Sequence, residues 1–423
     1  MTHRPLQTAD RRSFLAAAGA AAVAPIALGG LRRQDVVEQR WLKVGVVGCG
    51  GRGTGAAVNA LEASEFVSIV ALGDLFEDRV KSAQEGLSKR GERGTVPDDR
   101  LFVGFDAYKG VLATDCDIVI LATPPGFRPG HFEAAVAAGK NVFMEKPVAV
   151  DPVGIRKVIA AARAADEKKL CVVSGTQRRH EQCYLEAMKR IHDGALGKLS
   201  AAKAYWNMGG LWVVEAQADR SDMENQVRNW LYYTWLSGDH ITEQHVHNLD
   251  VVNWAFQAVP ERCVALGGRQ ARTDPKYGQI FDHFAVDYEY PEQRFALSMC
   301  RQQDGTDGRV QEQIFGSEGV AILSSGSASI DGVNEWKFKG PQRNPYVQEH
   351  IDLQEAIRTG KPVNEGVRVA ESTLTAIMGR MAAYTGKVVT WDEAMNSTLD
   401  LMPAVMEFTS LPVAPVAIPG KTS

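Results

Sequence analysis

The sequence predicts an α/β fold: a doubly wound parallel sheet in the N-terminal part and a large, mostly antiparallel sheet in an α+β C-terminal part. Up to Ser174, short β-branched runs alternate with helical segments, which is the pattern of parallel strands joined by crossover helices. Beyond Ser200, longer β-rich runs follow one another, as in an antiparallel sheet. The 423 residues are enough for about two to three domains.

The composition is that of an ordinary globular protein, because 45% of the residues are hydrophobic and 23% are charged. A net charge of −4 gives no general electrostatic attraction to nucleic acid or to an anionic membrane. The cysteines lack CxxC spacing, so they are predicted to be isolated thiols rather than a disulfide framework. They are Cys49, Cys116, Cys171, Cys183, Cys263 and Cys300.

A glycine-rich turn follows the first predicted strand, Trp41–Val47, and leads into an Ala-rich helix, Thr54–Ala63. The turn fits G-x-G-x-x-G, in which the glycines permit a tight turn, close approach to a pyrophosphate and close helix packing. The start of the helix adds free N–H groups and a positive dipole. This context predicts a dinucleotide-binding Rossmann domain. The predicted cofactor contacts in the turn are Gly48, Gly50, Gly51, Arg52 and Gly53.

An acidic residue follows the second predicted strand, Phe66–Leu72. Asp74 stands near the position at which a carboxylate meets the adenosine ribose in this fold. A carboxylate there favours NAD and disfavours NADP, because it repels a 2′-phosphate. Arg79 would soften that preference. The alternative role of Asp74 is to cap the helical segment that begins at Glu77.

Two further predicted strands, Cys116–Ala122 and Asn141–Met144, end in residues suited to cover a cofactor, because ligands bind at the carboxyl ends of parallel strands. Between them, His131 is predicted to open a helix that runs to Ala138. A later turn, after the strand Leu170–Ser174, is expected to bridge the two domains. The predicted cofactor contacts in these turns are Thr123, Pro124, His131, Glu145, Lys146 and Gln177.

In order and spacing, Gly48–Gly53, Asp74 and Glu145-Lys146-Pro147 resemble the Gfo/Idh/MocA family of sugar and polyol dehydrogenases, over residues 41–395. The resemblance implies an NAD-binding domain at 41–176, a substrate and oligomerisation domain at 177–395, and a homodimer or homotetramer. It also implies that Lys146 handles a proton beside the nicotinamide and the substrate, with a cis peptide bond before Pro147. A surface lysine at a strand end is the alternative.

The second domain is predicted to begin with a helix, Glu181–His192, and to close with two helices, Pro345–Thr359 and Gly366–Thr385. The tail, 396–423, is expected to lie extended along the surface or along a partner subunit. The predicted strands between the helices are Ala201–Trp206, Arg262–Gln270, His283–Tyr290, Arg294–Arg301 and Gln311–Gly316.

The segment from Trp235 to Asp250 is dense in titratable residues. Aligned on the final His-x-x-Asp of the family motif, His247 takes the place of the catalytic histidine, while Glu243 replaces an Asp and His245 replaces a Gly. Glu243 and His247 are spaced i,i+4, so on one helix face Glu243 would orient His247 and balance its charge. Alcohol oxidation needs a base for the hydroxyl proton. Lys146 and His247 are the predicted proton-handling groups, and Asp250 is expected to be structural.

The same segment is also compatible with a metal site or with a different reaction. His240, His245 and His247 with Glu243 have metal-ligand chemistry, but their spacing is not H-E-x-x-H, and no metal site is predicted. The departures at Glu243 and His245 also admit a redox-assisted glycosidase. Such NAD-dependent enzymes oxidise a ring hydroxyl transiently, eliminate the aglycone and return the hydride.

An aromatic-rich stretch between Trp206 and Trp235 suits a carbohydrate, because aromatic faces stack on sugar C–H surfaces. At least half of its aromatic residues are nevertheless expected to belong to the core. The predicted substrate contacts are Arg178, Asn207, Trp230, Tyr233 and His245.

The N-terminal segment resembles a twin-arginine translocation signal, with a frayed amphipathic helix as the alternative. Arg11-Arg12 precedes an uncharged run, rich in Ala and Gly, that is too short to span a bilayer. Ala22-Val23-Ala24 offers a cleavage site, so 1–34 is predicted to be an export signal to the periplasm. Because an exported protein has no free NAD pool, we expect NAD to be retained as a prosthetic group.

Overall fold

The computed structural model describes residues 40–421, so the twin-arginine motif and its cleavage site lie outside the described residues. Residues 40–421 belong to one compact unit. Within this range, no helix is both long enough and apolar enough to cross a bilayer. All six cysteines fall in the described part and are free and buried, as predicted.

The N-terminal sheet is parallel and follows the Rossmann strand order. Its strands are β1 (Leu42–Val47), β2 (Val67–Asp74), β3 (Leu101–Val103), β4 (Ile118–Leu121), β5 (Asn141–Met144) and β6 (Val172–Ser174). They lie in the order β3-β2-β1-β4-β5-β6, so the strand order reverses between β1 and β4. A ligand crevice forms at that point in such sheets. The helices between the strands are α1 (Gly51–Ala63), α2 (Glu77–Ser88), α3 (Ala107–Leu112), α4 (Arg128–Ala137) and α5 (Pro152–Glu167).

Most strands of this sheet are continuous apolar runs because helices cover both faces. In β1, Val44, Val46 and Val47 are all buried, which is the pattern of a central parallel strand. The helix expected to open at His131 begins one turn earlier, at Arg128, and that boundary was wrong. Pro129 lies in its first turn, where a missing N–H leaves no hydrogen bond unmade.

The second sheet is larger than predicted and almost entirely antiparallel. Its strands are β7 (Leu199–Met208), β8 (Arg262–Gly268), β9 (His283–Tyr290), β10 (Arg294–Gln302), β11 (Arg309–Gly316), β12 (Gly319–Ser324), β13 (Ser327–Gly332), β14 (Trp336–Lys337) and β15 (Val389–Thr390). They lie in the order β14-β13-β12-β11-β7-β10-β9-β8-β15. The pairing of β7 with β10 is parallel and the other pairings are antiparallel. The predicted fold class is confirmed.

Helices cover one face of the second sheet and connect it to the first. They are α6 (Gln182–His192), α7 (Asp222–Arg228), α8 (Thr234–Ser237), α9 (His240–Glu243), α10 (Val246–Phe256), α11 (Pro345–Thr359), α12 (Gly366–Thr385) and α13 (Trp391–Asn396). The long closing helices return to the N-terminal sheet, since α11 packs along α1 and α12 packs along α5. This arrangement holds the carboxyl ends of the parallel strands against α9 and α10.

Candidate active site

The glycine-rich turn between β1 and α1 is shaped to admit a phosphate. A Cβ atom on Gly53 would lie 1.7 Å from the carbonyl oxygen of Gly48, so this close approach requires glycine. Gly48 itself has a φ of +95°, and its Cβ would meet the backbone at 2.6 Å. By contrast, a Cβ on Gly50 or Gly51 would meet nothing within 4 Å. The open side of the turn therefore faces the cleft, at a helix start with no side-chain cap and no acidic residue in its first turn.

Asp74 is the last residue of β2 and lines the same cleft. One carboxylate oxygen accepts a hydrogen bond from the Cys49 N–H at 2.6 Å, and the other accepts from the Phe76 N–H at 3.0 Å. Burial raises the pKa of this carboxyl above its ordinary value. Asp74 therefore lies in the cleft at the end of β2, and its hydrogen bond from the Phe76 N–H fixes the turn before α2 without capping the helix.

The cleft above the strand ends has a volume of about 560 Å³, which is in the range for a bound cofactor. Thr123, Pro124 and His131 line it as predicted. His131 Nδ1 lies 3.3 Å from Thr123 Oγ1, and burial, followed by the Arg128 charge, lowers the pKa of His131 to about 3. Its imidazole is therefore neutral beside the cofactor site.

Arg52 lines the cleft, but its guanidinium is already paired with Glu145. Arg52 Nε lies 2.5 Å from Glu145 Oε1, and the guanidinium also lies 5.0 Å from the Tyr346 ring centroid. Glu145 is buried against Gly175, so it acts on the cleft through Arg52. Gln177 is buried in the turn after β6, and the structure does not bring it to the lining of the cleft.

Lys146 follows β5 and forms an ion pair with Glu243 at the end of α9. Lys146 Nζ lies 3.0 Å from Glu243 Oε1 and also donates to the backbone carbonyl of Glu243. Both side chains are almost buried, with 11% and 10% of their surface exposed. The peptide bond before Pro147 is cis, as the resemblance implied. A lysine held this way is not a mobile surface group, which was the alternative.

The helix predicted to carry both Glu243 and His247 is interrupted. The first helical piece ends at Glu243 and the next begins at Val246, with the His245 N–H bonded to the His240 carbonyl at 3.2 Å. The expectation that Glu243 orients His247 was wrong, because the Glu243 carboxylate bonds to Lys146 instead. The His245-to-His240 bond therefore interrupts the regular helical spacing between Glu243 and His247.

His247 lies in the first turn of α10, with its ring stacked on Trp206 at a centroid distance of 5.7 Å. Burial lowers the pKa of His247 well below 6.5, and the charges of Lys146, Arg178 and Arg52 lower it further. Its Nδ1 is buried without a hydrogen-bond partner. Burial and the neighbouring cations therefore favour the neutral imidazole, and no protein group occupies its Nδ1.

His245 was predicted to contact the substrate, and this was wrong. It is completely buried, and its Nε2 lies 2.7 Å from the Ser298 hydroxyl on β10. Burial lowers its pKa to about 3. His240 is equally buried against Asp239. Among residues 40–421, no three His, Cys, Asp or Glu side chains converge as metal ligands.

Three other predicted substrate contacts also face elsewhere. Arg178 is buried and paired with Glu312 on β11, so it lies behind the site. Asn207 points away from the helices, because side chains alternate along β7 and Trp206 faces His247. Tyr233 is buried in an apolar cluster. Trp230, the remaining predicted substrate contact, lines the cofactor cleft.

The aromatic stretch divides evenly, as expected. Tyr232, Tyr233 and Trp235 are buried in the core, whereas Trp206, Trp212 and Trp230 remain partly exposed. Trp212 and Trp230 lie 6.0 Å apart between ring centroids and both line the cofactor cleft rather than a separate sugar site.

Several buried residues near the site escaped prediction. Arg128 donates to the carbonyls of Thr123 and Pro147 and so fixes the turns after β4 and β5. Glu312 accepts from Arg178, from the Tyr184 hydroxyl at 2.8 Å and from Asn248 at 2.6 Å. The signal for Glu312 was a charged residue at an inward-facing position of a predicted strand. Arg128 had no comparable signal.

Asp250 is structural, as expected. It accepts hydrogen bonds from Arg179, Arg368 and Ser372 at 2.7 to 3.0 Å. These partners outweigh the cost of burial and lower the pKa of Asp250. The network fixes α10 against α12 and so holds His247 in place.

Comparison with known proteins reveals two matching family models. One, described as an oxidoreductase family with an NAD-binding Rossmann fold, matches residues 42–176. The other, described as the GFO/IDH/MocA C-terminal domain, matches residues 184–322. Levoglucosan dehydrogenase, solved with NADH and levoglucosan, superposes with a TM-score of 0.67 at 15% identity, covering 83% of this chain and 99% of that one. That likeness concerns the fold.

Two curated relatives have sequence similarity over about half of their length. Inositol 2-dehydrogenase of Klebsiella pneumoniae is 28% identical over 50% of this chain and 54% of its own. The 2,7-anhydro-N-acetylneuraminate hydratase of Mediterraneibacter gnavus is 26% identical over 43% of this chain and 45% of its own. The NAD-binding family model over residues 42–176, together with the glycine-rich turn and the cleft, identifies the cofactor as NAD.

Proposed function

Because this chain belongs to the Gfo/Idh/MocA family of NAD-binding oxidoreductases, we propose that it transfers a hydride between nicotinamide and a secondary hydroxyl of a sugar, polyol or glycoside. The buried pair of Lys146 and Glu243, with neutral His247 nearby, is the observation that carries this proposal. Relatives named inositol 2-dehydrogenase and levoglucosan dehydrogenase support this class of substrate.

The residues of this chain handle the proton, while bound NAD supplies the hydride acceptor. Lys146 Nζ donates toward the substrate oxygen and is held by the carboxylate and the carbonyl of Glu243. The neutral imidazole of His247 accepts the hydroxyl proton during oxidation and returns it during reduction. The Trp206 ring fixes the plane of that imidazole.

A panel of sugars, polyols and glycosides, assayed by NADH absorbance with added NAD, tests the proposal. We expect NADH formation with at least one cyclic polyol or pyranose. A purified, NAD-loaded protein that neither reduces NAD nor converts any member of the panel would contradict an oxidoreductase acting on this class.

Redox-assisted glycoside cleavage is the second candidate. In it, hydride leaves a ring carbon, a base removes the proton made acidic by the new ketone, the aglycone departs, water adds and the hydride returns. A relative named as a hydratase supports it, since hydration involves no net oxidation. Release of the aglycone without net NADH would favour this candidate over the dehydrogenase.

We also propose that NAD is preferred over NADP, because the Asp74 carboxylate at the adenosine end repels a 2′-phosphate. A comparison of KM for the two dinucleotides tests this preference. Equal KM values would contradict it.

We also propose a homodimer or homotetramer, assembled through the face of the second sheet that the helices leave uncovered. Val264, Leu266, Phe295 and Met299 there are between 36% and 78% exposed. Sedimentation would detect the assembly, and a monomer at micromolar concentration would contradict it.

Export by the twin-arginine route, as the Arg11-Arg12 motif suggests, is likewise a proposal. Cell fractionation of the wild-type chain and a variant with both arginines changed to lysine tests it. Equal periplasmic amounts of the two proteins would contradict it.

A further inference from the structure

Part of the second half of the chain crosses the mouth of the cofactor cleft. Trp212, Val227, Arg228 and Trp230 line the cleft opposite the glycine-rich turn and Asp74. The Arg228 guanidinium lies 3.8 Å from the ring centroid of Phe76 and 3.2 Å from the Asp78 carboxylate at the start of α2. The adenosine end is therefore bridged from one side of the molecule to the other.

The C-terminal strap, defined as residues 401–411, runs over this bridge without forming a helix or strand. On the nucleotide side, the Leu401 N–H donates to Asp151 at 2.9 Å. On the other side, Asp222 in α7 accepts from the Leu411 N–H at 3.0 Å and from the Ser410 hydroxyl at 2.7 Å. The strap is thus anchored on both sides of the cleft.

Between its two anchors, an aromatic ring of the strap packs against the wall of the cleft. Phe408 is stacked on Phe76 at a centroid distance of 5.8 Å and an interplanar angle of 11°. It also contacts Phe105 at 5.1 Å. Phe76 and Phe105 both line the cleft, and Phe76 follows Asp74 by two residues. Phe408 therefore supports the wall at the adenosine end.

We infer that the C-terminal strap closes the adenosine end of the cofactor site from outside the cleft, and that Phe408 and the Asp222 anchor slow the release of the bound dinucleotide. Separation of α7 from the start of α2 would open this end of the cleft. It would break the Arg228 contacts with Asp78 and Phe76, and it would strain the strap, which is anchored to Asp222 at one end and to Asp151 at the other. The inference rests on NAD being the cofactor of the proposed function, but it assigns a role to residues far from the Rossmann motifs.

The release rate of NADH from the full-length protein tests the inference. NADH fluorescence is followed after excess NAD is added, and nucleotide that co-purifies with the protein is quantified after denaturation. We expect Phe408→Ala to accelerate NADH release by about 10-fold, since one aromatic stack is lost. Asp222→Ala, which removes the anchor on α7 at an exposed position, should also accelerate NADH release on its own. Val405→Ala is the matched control, because Val405 lies in the strap and is 53% exposed.

The possible outcomes distinguish a failure of this inference from a failure of the proposed reaction. Co-purifying nucleotide, with faster release in the Phe408 and Asp222 variants but not in the Val405 variant, supports the inference. Equal release rates in the wild type and both strap variants overturn it, even if the enzyme oxidises sugars. Failure of the reaction itself would appear as retained nucleotide with no conversion of any sugar.

Discussion

The two halves of the site use their polar groups differently. In the nucleotide half, the turn at Gly50 and Gly51 opens onto the cleft at an uncapped helix start, and a Cβ on either glycine would meet nothing within 4 Å. In the other half, polar side chains are committed to partners distant in sequence. Lys146 bonds to Glu243, and His245 bonds to Ser298.

This difference separates binding from chemistry. A turn of free N–H groups can accept an anion with little rearrangement, so the nucleotide half is built to be filled. Charges buried in the second half must be paired within the protein, because an unpaired buried charge is strongly destabilising. Substitutions in the first half should therefore act on cofactor affinity, and those in the second half on turnover and stability.

Lys146→Ala should have the largest effect on turnover. Loss of the donor at the substrate oxygen is expected to lower kcat by about 10³ to 10⁴-fold. The affinity for NADH, measured by fluorescence titration, should stay within a few-fold of the wild type. Lys157→Ala, which removes an exposed lysine in α5, is the control for loss of a positive charge. Undiminished kcat in the Lys146 variant would remove this residue from the chemistry.

His247 and His245 are two residues apart, and their substitution should separate catalysis from packing. His247→Asn is expected to lower kcat by about 10² to 10³-fold, because it removes the base. His245→Asn should leave kcat within about 3-fold but destabilise the fold by roughly 1 to 3 kcal/mol, because the Ser298 hydroxyl loses its partner. Steady-state kinetics and urea unfolding measure the two effects. Equal losses of kcat in the two variants would contradict the separation.

The nucleotide half was predictable because its geometry is local. The turn from Gly48 to Gly53, the acid at Asp74 and the residues after β4 and β5 are each set within one strand–turn–helix unit. Short segments such as Gly319–Ser324 and Ser327–Gly332 were missed, since their Ser, Gly and Asp residues give a weak strand signal.

The second half resisted prediction because its contacts depend on tertiary packing. The i,i+4 spacing of Glu243 and His247 implied a shared helix face, but nothing in that local sequence revealed the break at His245. Likewise, Arg178 has the chemistry of a substrate ligand, and only the inward orientation of Glu312 shows that it is already paired. Strand alternation could have excluded Asn207 as a substrate contact once the helix-facing side of β7 was known.

Glu243→Gln should have a smaller effect than either catalytic substitution, because the backbone carbonyl still holds Lys146. We expect kcat to fall by about 10 to 100-fold, roughly 1.4 to 2.7 kcal/mol at about 1.36 kcal/mol per tenfold. A double-mutant cycle identifies its partner. The effects of Glu243→Gln and Lys146→Ala should be strongly non-additive, whereas Glu243→Gln and His247→Asn should be nearly additive. The reverse pattern would restore the original assignment of Glu243 to His247.

The smallest effects concern two buried histidines that are held in opposite protonation states. His245 is neutral, since burial lowers its pKa to about 3. Burial also disfavours the charged form of His180, but the hydrogen bond to Asp352 and the Glu365 carboxylate 3.7 Å from Nε2 outweigh it and raise the pKa to about 10. His180 connects the turn after β6 to α11, whereas His245 lies wholly in the second half.

The pH dependence of unfolding should therefore run in opposite directions for variants of these two residues. Below pH 6.5 the unfolded chain binds a proton at His245 and the folded chain does not. Through this residue the free energy of unfolding of the wild type therefore falls by up to about 1.4 kcal/mol per pH unit, whereas that of His245→Gln does not. The stability cost of His245→Gln should shrink as the pH falls from 6.5 toward 4. The stability supplied by protonated His180 is fully present below pH 6.5 and is lost as the pH rises toward 10. The cost of His180→Gln should shrink in that alkaline range instead. Urea unfolding at fixed pH values measures both, and costs that do not change with pH would show that neither imidazole is held in the assigned state.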